Sequence, residues 1–320
     1  MPDSLRERRD ALIERDGPWT GPPIALPDGM ATHDVPVLGD ERLRRIVQVV
    51  ADLSSKPLDE LRVLDLACFE GQYAIEFALQ GAEVVGIEGR EANLAKARFS
   101  AEAHGLERLS LVHGDVRDLR REQFGGFDVV LCLGLLYHLD FPEAIRFLEH
   151  VAEVCDCLAI FDTHVNLGFR RSVRDGGRTY WGRPYVEHSS RADASEREQS
   201  RWASLDNARS FWFTRASLIN ALVDVGFTSV YECEVPPEAT KPADRRTFVA
   251  IKGKRTPLRT TPGFDQQEWE RVPERRSRTL LLRNHAPGTN LIKRVFLDLR
   301  ALNARRTSRG YGRRSYGRHR

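Results

Sequence analysis

Val63-Leu64-Asp65-Leu66-Ala67-Cys68-Phe69-Glu70-Gly71 and, further on, Val84-Val85-Gly86-Ile87-Glu88 are the stretches whose reading decides the fold. A short leucine and β-branched run ends in a turn of small residues, a helix follows, and a second apolar run ends in an acid. That is the pattern of a βαβ unit that holds a nucleoside. A carboxylate at the end of the second strand can accept hydrogen bonds from both ribose hydroxyls, so Glu88, with Gly89 beside it, reads as a ribose clamp.

The turn separates two cofactor classes. A dinucleotide site wants G-x-G-x-x-G, so that backbone and helix N-terminus can approach a pyrophosphate. Here Ala67 and Phe69 stand where those glycines would fall and only Gly71 is kept, which disfavours a pyrophosphate. S-adenosylmethionine (SAM) carries no phosphate, and its amino acid moiety tolerates a bulkier turn. Asp65, Ala67, Cys68, Glu70 and Gly71 resemble the first motif of the class I SAM-dependent methyltransferases, an acid, small residues and a glycine in that order, although Ala67 and Phe69 replace glycines usual in that family. The resemblance implies a Rossmann-like fold with SAM as cofactor.

Composition bounds the rest. With 320 residues, 41% of them apolar, the chain can bury one core of roughly 200 residues plus appendages. No run of about 18 apolar residues occurs and the N-terminus is charged, so neither a membrane span nor a signal peptide is expected, and the expected location is cytoplasmic. The cysteines Cys68, Cys132, Cys155, Cys157 and Cys233 read as small hydrophobes, since Cys155-x-Cys157 has neither the spacing nor the second pair of a zinc site. No metal is expected. Net charge is only +3, yet Arg305, Arg306, Arg309, Arg313, Arg314, Arg318 and Arg320 follow Ala301 without a single acid.

Along the chain, a charged helix over 2–15 ends before Gly17-Pro18, an extended arm over 19–32 turns at Asp28-Gly29, and Leu43, Ile46, Val47 and Val50 give a helix over 39–54. Strands are expected at 61–67, 83–88, 109–113, 127–132 and 157–162, with helices at 71–80, 90–104 and 141–154. A helix over 214–225, capped by Thr214 and Gly226, precedes strands at 227–233 and 246–252. The fold class is therefore α/β: a Rossmann-like, seven-stranded, mostly parallel sheet with an antiparallel last strand and helices on both faces. Resemblance to the methyltransferases covers 60–252.

The division expected is N-terminal helices and arm over 1–54, a methyltransferase domain over 55–253, an extension with an amphipathic helix over 254–303 and a disordered Arg-rich tail over 304–320. Within the domain, residues 163–213 are an insertion whose aromatics and polar groups would roof the pocket and select the acceptor. A stripe of Leu291, Ile292, Val295, Phe296, Leu299 and Leu302 docks on the protein or on an anionic membrane surface, and arginine interleaved with tyrosine and glycine in the tail suits RNA.

In the family the acid after the third strand receives the adenine amino group, which falls on Asp115 with Val116 beside it. Ligands lie beyond the carboxyl ends of the strands, so Leu133, Gly134, Tyr137 and His138 should face the sulfonium. Tyr137, His138 and His164 are the catalytic candidates; if the nucleophile is a hydroxyl, His138, His164 or Asp162 would supply the base. Gly134-Leu-Leu-Tyr137-His138 and Arg209-Ser-Phe-Trp-Phe213-Thr also resemble the group around the bacterial tRNA wobble-uridine carboxymethyltransferase. There a tyrosine and an arginine before the last strand hold a carboxylated SAM, which Tyr137 and Arg245-Arg246 would match. No counterpart of that group's further basic contact in the N-terminal region emerges from the sequence.

The expected activity is therefore in-line transfer of a methyl from SAM to an O, N or C nucleophile of a small molecule. The alternatives are a tRNA-modifying (carboxy)methyltransferase and a non-catalytic SAM-binding or scaffolding protein. Acceptor and oligomeric state are not legible.

Overall fold

The computed structural model describes residues 4–35, 39–267 and 269–274. The apolar stripe at 291–302 and the tail over 304–320 lie outside the described residues. Helices α1 (Leu5–Asp16) and α2 (Glu41–Leu53) precede the sheet. Then β1 (Arg62–Leu66), α3 (Gln72–Leu79), β2 (Glu83–Glu88), α4 (Glu91–Ala103), β3 (Leu109–His113), a short α5 (Arg121–Phe124), β4 (Phe127–Leu133), α6 (Glu143–Val154) and β5 (Cys155–His164) follow in order. Strands β6 (Arg171–Asp175) and β7 (Arg178–Val186), helix α7 (Ala194–Gln199) and strand β8 (Arg209–Phe213) come next. The described elements of the sheet layer finish with α8 (Arg215–Asp224), β9 (Ser229–Glu232) and β10 (Arg245–Ile251).

Seven strands form one sheet in the order β3-β2-β1-β4-β5-β10-β9. Pairings among β1 to β5 are all parallel, and β10 runs antiparallel to both its neighbours, which is the mostly parallel sheet with a reversed last strand that the sequence implied. The central strands are buried on both faces, because helices cover each side and the strands read as continuous Val, Leu and Ile runs. One core layer gathers Phe127, Phe147, Leu148, Phe161 and Phe248; the other gathers Ile46, Val50, Val63, Phe77 and Leu131 from α2, α3 and the opposite sheet face. The strand order turns back between β1 and β4, and ligands bind at the carboxyl ends of strands beside such a point. Register brings three strand ends level there, since Leu66 pairs with Ile87 on one side and Cys132 on the other.

The insertion has structure that the sequence did not indicate: β6, β7 and β8 form their own antiparallel sheet, and β5 continues to His164. Arg209–Phe213 is the third strand of that sheet and leads directly into α8. The arm also has order of its own, with Ala25 bridged to Ala31 around the turn at Gly29.

Candidate functional site

The turn after β1 takes the path that glycines would take, using residues that are not glycine. Ala67 has φ 52° and Phe69 φ 56°, with Gly71 at 89°. Left-handed backbone costs a non-glycine residue about 1–2 kcal/mol, and such strain persists where surroundings over-determine it. Here the Phe69 amide donates to Glu88 Oε2 at 2.9 Å, Cys68 N–H to the Ile87 carbonyl at 3.0 Å and Gly71 N–H to the Cys68 carbonyl at 2.8 Å. Gly71 itself cannot gain a side chain, since a Cβ would stand 2.9 Å from the Ala97 methyl of α4.

Above this turn lies a cavity of about 320 Å³. Of the residues singled out from sequence, Asp65, Ala67, Cys68, Glu70, Glu88 and Gly89 line it from the β1 and β2 ends. Asp115 and Val116 line it after β3, and Leu133, Gly134, Tyr137 and His138 after β4. Gly71 and His164 do not line it. Gly71 is taken up by packing on α4, and His164 sits behind Tyr137, ring centroids 4.8 Å apart, stacked on Trp212. Its Nδ1 lies 3.2 Å from Asp244 Oδ1; burial, only partly offset by that acid, keeps His164 below the ordinary imidazole value.

The four carboxylates of this region have different duties. Glu88 is buried, and its oxygens accept from the Arg90 amide at 2.9 Å and Asn93 Nδ2 at 3.2 Å besides Phe69. Burial raises its pKa against the pull of these bonds. Glu70 is spent on the arm: it accepts from the Gly21 amide at 2.6 Å, from the Thr20 amide and from buried Lys96 Nζ at 3.1 Å. That anchoring brings Gly21, Pro22 and Ile24 over the cavity. Asp115 is held by the amide and guanidinium of Arg117, which outweigh burial and leave it below the usual carboxylate range.

Asp65 accepts one bond, from the Ala74 amide at 3.1 Å, and burial pushes its pKa to about 7. A carboxyl raised above its unfolded value adds stability in full below that unfolded value, about pH 4, and the contribution is lost as pH rises to about 7. Each unit of such a shift corresponds to about 1.4 kcal/mol. Chemical denaturation at pH 5 and pH 8 should therefore show Asp65→Asn losing roughly 2 kcal/mol less between the two than the parent chain; equal losses would rule this out.

At the β4 and β5 ends a cationic cluster closes the cavity. Asp162 is fully buried, bonded to Arg245 Nε and, at 2.7 Å, to Thr247 Oγ1, with Arg42 Nε at 3.3 Å and Lys241 Nζ at 3.5 Å. Burial alone would raise it, but Arg42 and Arg245 override that and hold Asp162 down to about 2. It is therefore locked as a counter-ion, which removes it from the candidate bases. Arg42 and Arg245 both reach the wall at Gly134, where a Cβ would stand 3.4 Å from the Arg245 guanidinium and 3.8 Å from that of Arg42 and from Tyr137 Oη. Arg42 was not singled out from sequence, although Arg42-Ile46 and Arg45-Val49 put two arginines four residues before apolar positions of α2, on its buried stripe.

The roof comes from the insertion. Arg201 to Asn207 line the cavity, with Trp202 against Phe69 at 5.4 Å. Arg90 fastens this loop, donating to the carbonyls of Arg197, Glu198, Ser200, Ala203 and Ser204 at 3.1–3.4 Å. On the other side of Tyr137, Trp212 stacks on Tyr185 at 4.6 Å with Arg183 over its ring. His138 meets Glu187 through Nδ1 at 2.9 Å.

Residues 63–156 match the family described as "Methyltransferase domain". The chain is similar to the ubiquinone biosynthesis O-methyltransferase of Acinetobacter baumannii, 36% identical over 84 residues, 26% of this chain and 35% of that one. It is similar also to the 23S rRNA (uracil(1939)-C(5))-methyltransferase RlmD of Shewanella halifaxensis, 43% identical over 82 residues, 25% of this chain and 18% of that one. The chain thus spans about a third or less of the length of these curated relatives. Among solved structures, the N-terminal domain of EvdMO1 with SAH bound superposes with a TM-score of 0.60 at 25% identity, covering 79% of this chain and 98% of that one. The same domain in the presence of SAH and D-fucose gives 0.59. These likenesses agree with the Rossmann-like methyltransferase fold.

Proposed function

We propose that the protein is a SAM-dependent methyltransferase acting on a small-molecule acceptor. The observation that carries the reading is the cavity at the ends of β1, β2 and β4, with a buried carboxylate, Glu88, at the end of β2. In this reading Glu88 takes the ribose hydroxyls and Val116 packs the adenine. Asp115 meets the adenine amino group only with whatever capacity Arg117 leaves it. Ala67, Cys68 and Gly134 line the amino acid end. SAM supplies an electrophilic methyl on a sulfonium. The chain's contribution is to position two reactants and exclude water, and near-attack positioning is worth up to about 7–11 kcal/mol. The methyltransferase relatives and the SAH-bound likeness support the cofactor; a cavity of about 320 Å³ roofed by residues 201–207 supports a small acceptor rather than a polymer.

A second reading, a carboxylated SAM, is favoured by one arrangement: Arg42, Arg245 and Tyr137 converge at Gly134, and among the described ion pairs the acid both arginines meet is Asp162. In that reading Arg42 would serve as the further basic contact from the N-terminal region that the resemblance calls for. Calorimetry with SAM and with its carboxylated form, followed by incubation with methyl-labelled SAM and either a metabolite extract or total RNA, tests both. We expect SAM to bind and the label to enter the metabolite pool. Label in RNA alone would overturn the small-molecule acceptor, tighter binding of the carboxylated form would favour the second reading, and no binding of either would overturn the function.

A further inference from the structure

We propose that Glu187, contributed by the inserted sheet, is a positioning residue that makes His138 the general base of the reaction, and hence that the acceptor presents a hydroxyl. This rests on the methyltransferase reading. Glu187 follows β7, and its side chain is 2% exposed. Three groups point at its carboxylate: the Ser204 amide at 3.0 Å, the Ser210 hydroxyl at 2.5 Å and His138 Nδ1 at 2.9 Å. The amide can only donate. Burial would raise the carboxyl, but the bonds from His138, Ser210 and Ser204 outweigh it and keep Glu187 below the ordinary range, so the group is an anion that only accepts. His138 Nδ1 must then carry a proton, and when the ring is neutral its lone pair lies on Nε2. Among the described residues no side chain or carbonyl bonds to that Nε2, and it is not one of the buried unpartnered atoms; His138 lines the cavity. Asn207 fixes the backbone beneath by donating to the His138 carbonyl at 2.8 Å, and Tyr137 packs on the ring at 4.2 Å. The charged group facing this imidazole is Glu187 alone among the described ion pairs.

A nucleophile that needs a base is one that carries a proton it will not shed unaided, which an alcohol or phenol does and a neutral amine need not before attack. As the acceptor oxygen bonds to the methyl carbon, the carbon–sulfur bond breaks and its pair returns to sulfur. The hydroxyl proton passes to His138 Nε2, and the resulting imidazolium lies against the Glu187 carboxylate. His164 also has an acid at Nδ1, Asp244, but does not line the cavity.

The test has two arms, both on the full chain. In the first, nitrogen NMR of histidine-labelled protein with SAH added, assigned by the missing signal in His138→Asn, should show His138 protonated on Nδ1 and bare on Nε2. Glu187→Gln, with SAH affinity unchanged by calorimetry, should lose that bias. In the second, label transfer from SAM into the metabolite extract should fall about a hundredfold in His138→Asn and at least tenfold in Glu187→Gln, with KM for SAM unmoved and the acid limb of the pH profile displaced in Glu187→Gln. Ser210→Ala gives a milder form of the same changes should Glu187→Gln fold poorly. A His138 tautomer with Nε2 protonated, or full turnover in His138→Asn, overturns the inference while leaving the methyltransferase reading intact. Failure of the parent chain to bind SAH overturns that reading, and this inference with it.

Discussion

Glu88→Ala should weaken SAM binding by roughly a hundredfold to ten-thousandfold, measured by calorimetry. The figure follows from the ribose role proposed for Glu88: two hydrogen bonds to a charged acceptor, each about 1.5–3 kcal/mol, disappear together. The same carboxylate accepts from the Phe69 and Arg90 amides, so its loss also frees the strained turn. The change in fold stability should stay within about 1–3 kcal/mol, the cost of stranding buried donors, which a melting curve can separate from the binding loss. Glu88→Gln keeps an oxygen for Phe69 but not the charge, and should fall between. A folded Glu88→Ala chain that binds SAM within threefold of the parent would remove the ribose assignment.

The second large effect concerns stability rather than binding. Asp162→Ala leaves Arg42, Arg245 and Lys241 facing one another without their shared acid. Breaking a buried ion cluster by deleting one partner costs about 3–5 kcal/mol, because the remaining charges stay desolvated. Urea denaturation at pH 7 should show that loss. The sign with pH is fixed by the depressed carboxyl: its contribution is present above the unfolded value near 4 and is lost as pH falls to about 2, worth about 2 kcal/mol. The parent chain should thus lose stability over that acid window and Asp162→Ala should not. A loss below 1 kcal/mol at pH 7 would mean the arginines find other acceptors.

The central strands were legible because they are buried on both faces and read as apolar runs: β2 falls on the residues expected from sequence, and so does the edge strand β3, which is only half-buried. The inserted sheet was not, because Arg171-Ser-Val-Arg-Asp175 is an exposed, charged strand with no apolar face to announce it. One signal was present: Asp175-Gly176-Gly177-Arg178 is a two-residue hairpin turn, and both glycines have positive φ, 52° and 78°. The residues that line the cavity at the ends of β1, β2 and β4 were legible from local motifs. Of its cationic wall Arg245 and Asp162 were named from the sequence, but Arg42 was not, because it meets Asp162 only through long-range packing of α2 against the sheet. Glu187 had no local pattern at all, since its partner His138 is 49 residues away in the chain.

Arg90 deserves a last consequence. It grips the roof loop by main-chain carbonyls alone, so the join is indifferent to which side chains that loop carries. Roof positions whose side chains make no other bond can change while Glu88, two positions upstream of Arg90, stays as it is. If the proposed function holds, one bolt of this kind lets a lineage exchange its choice of acceptor without rebuilding the cofactor seat.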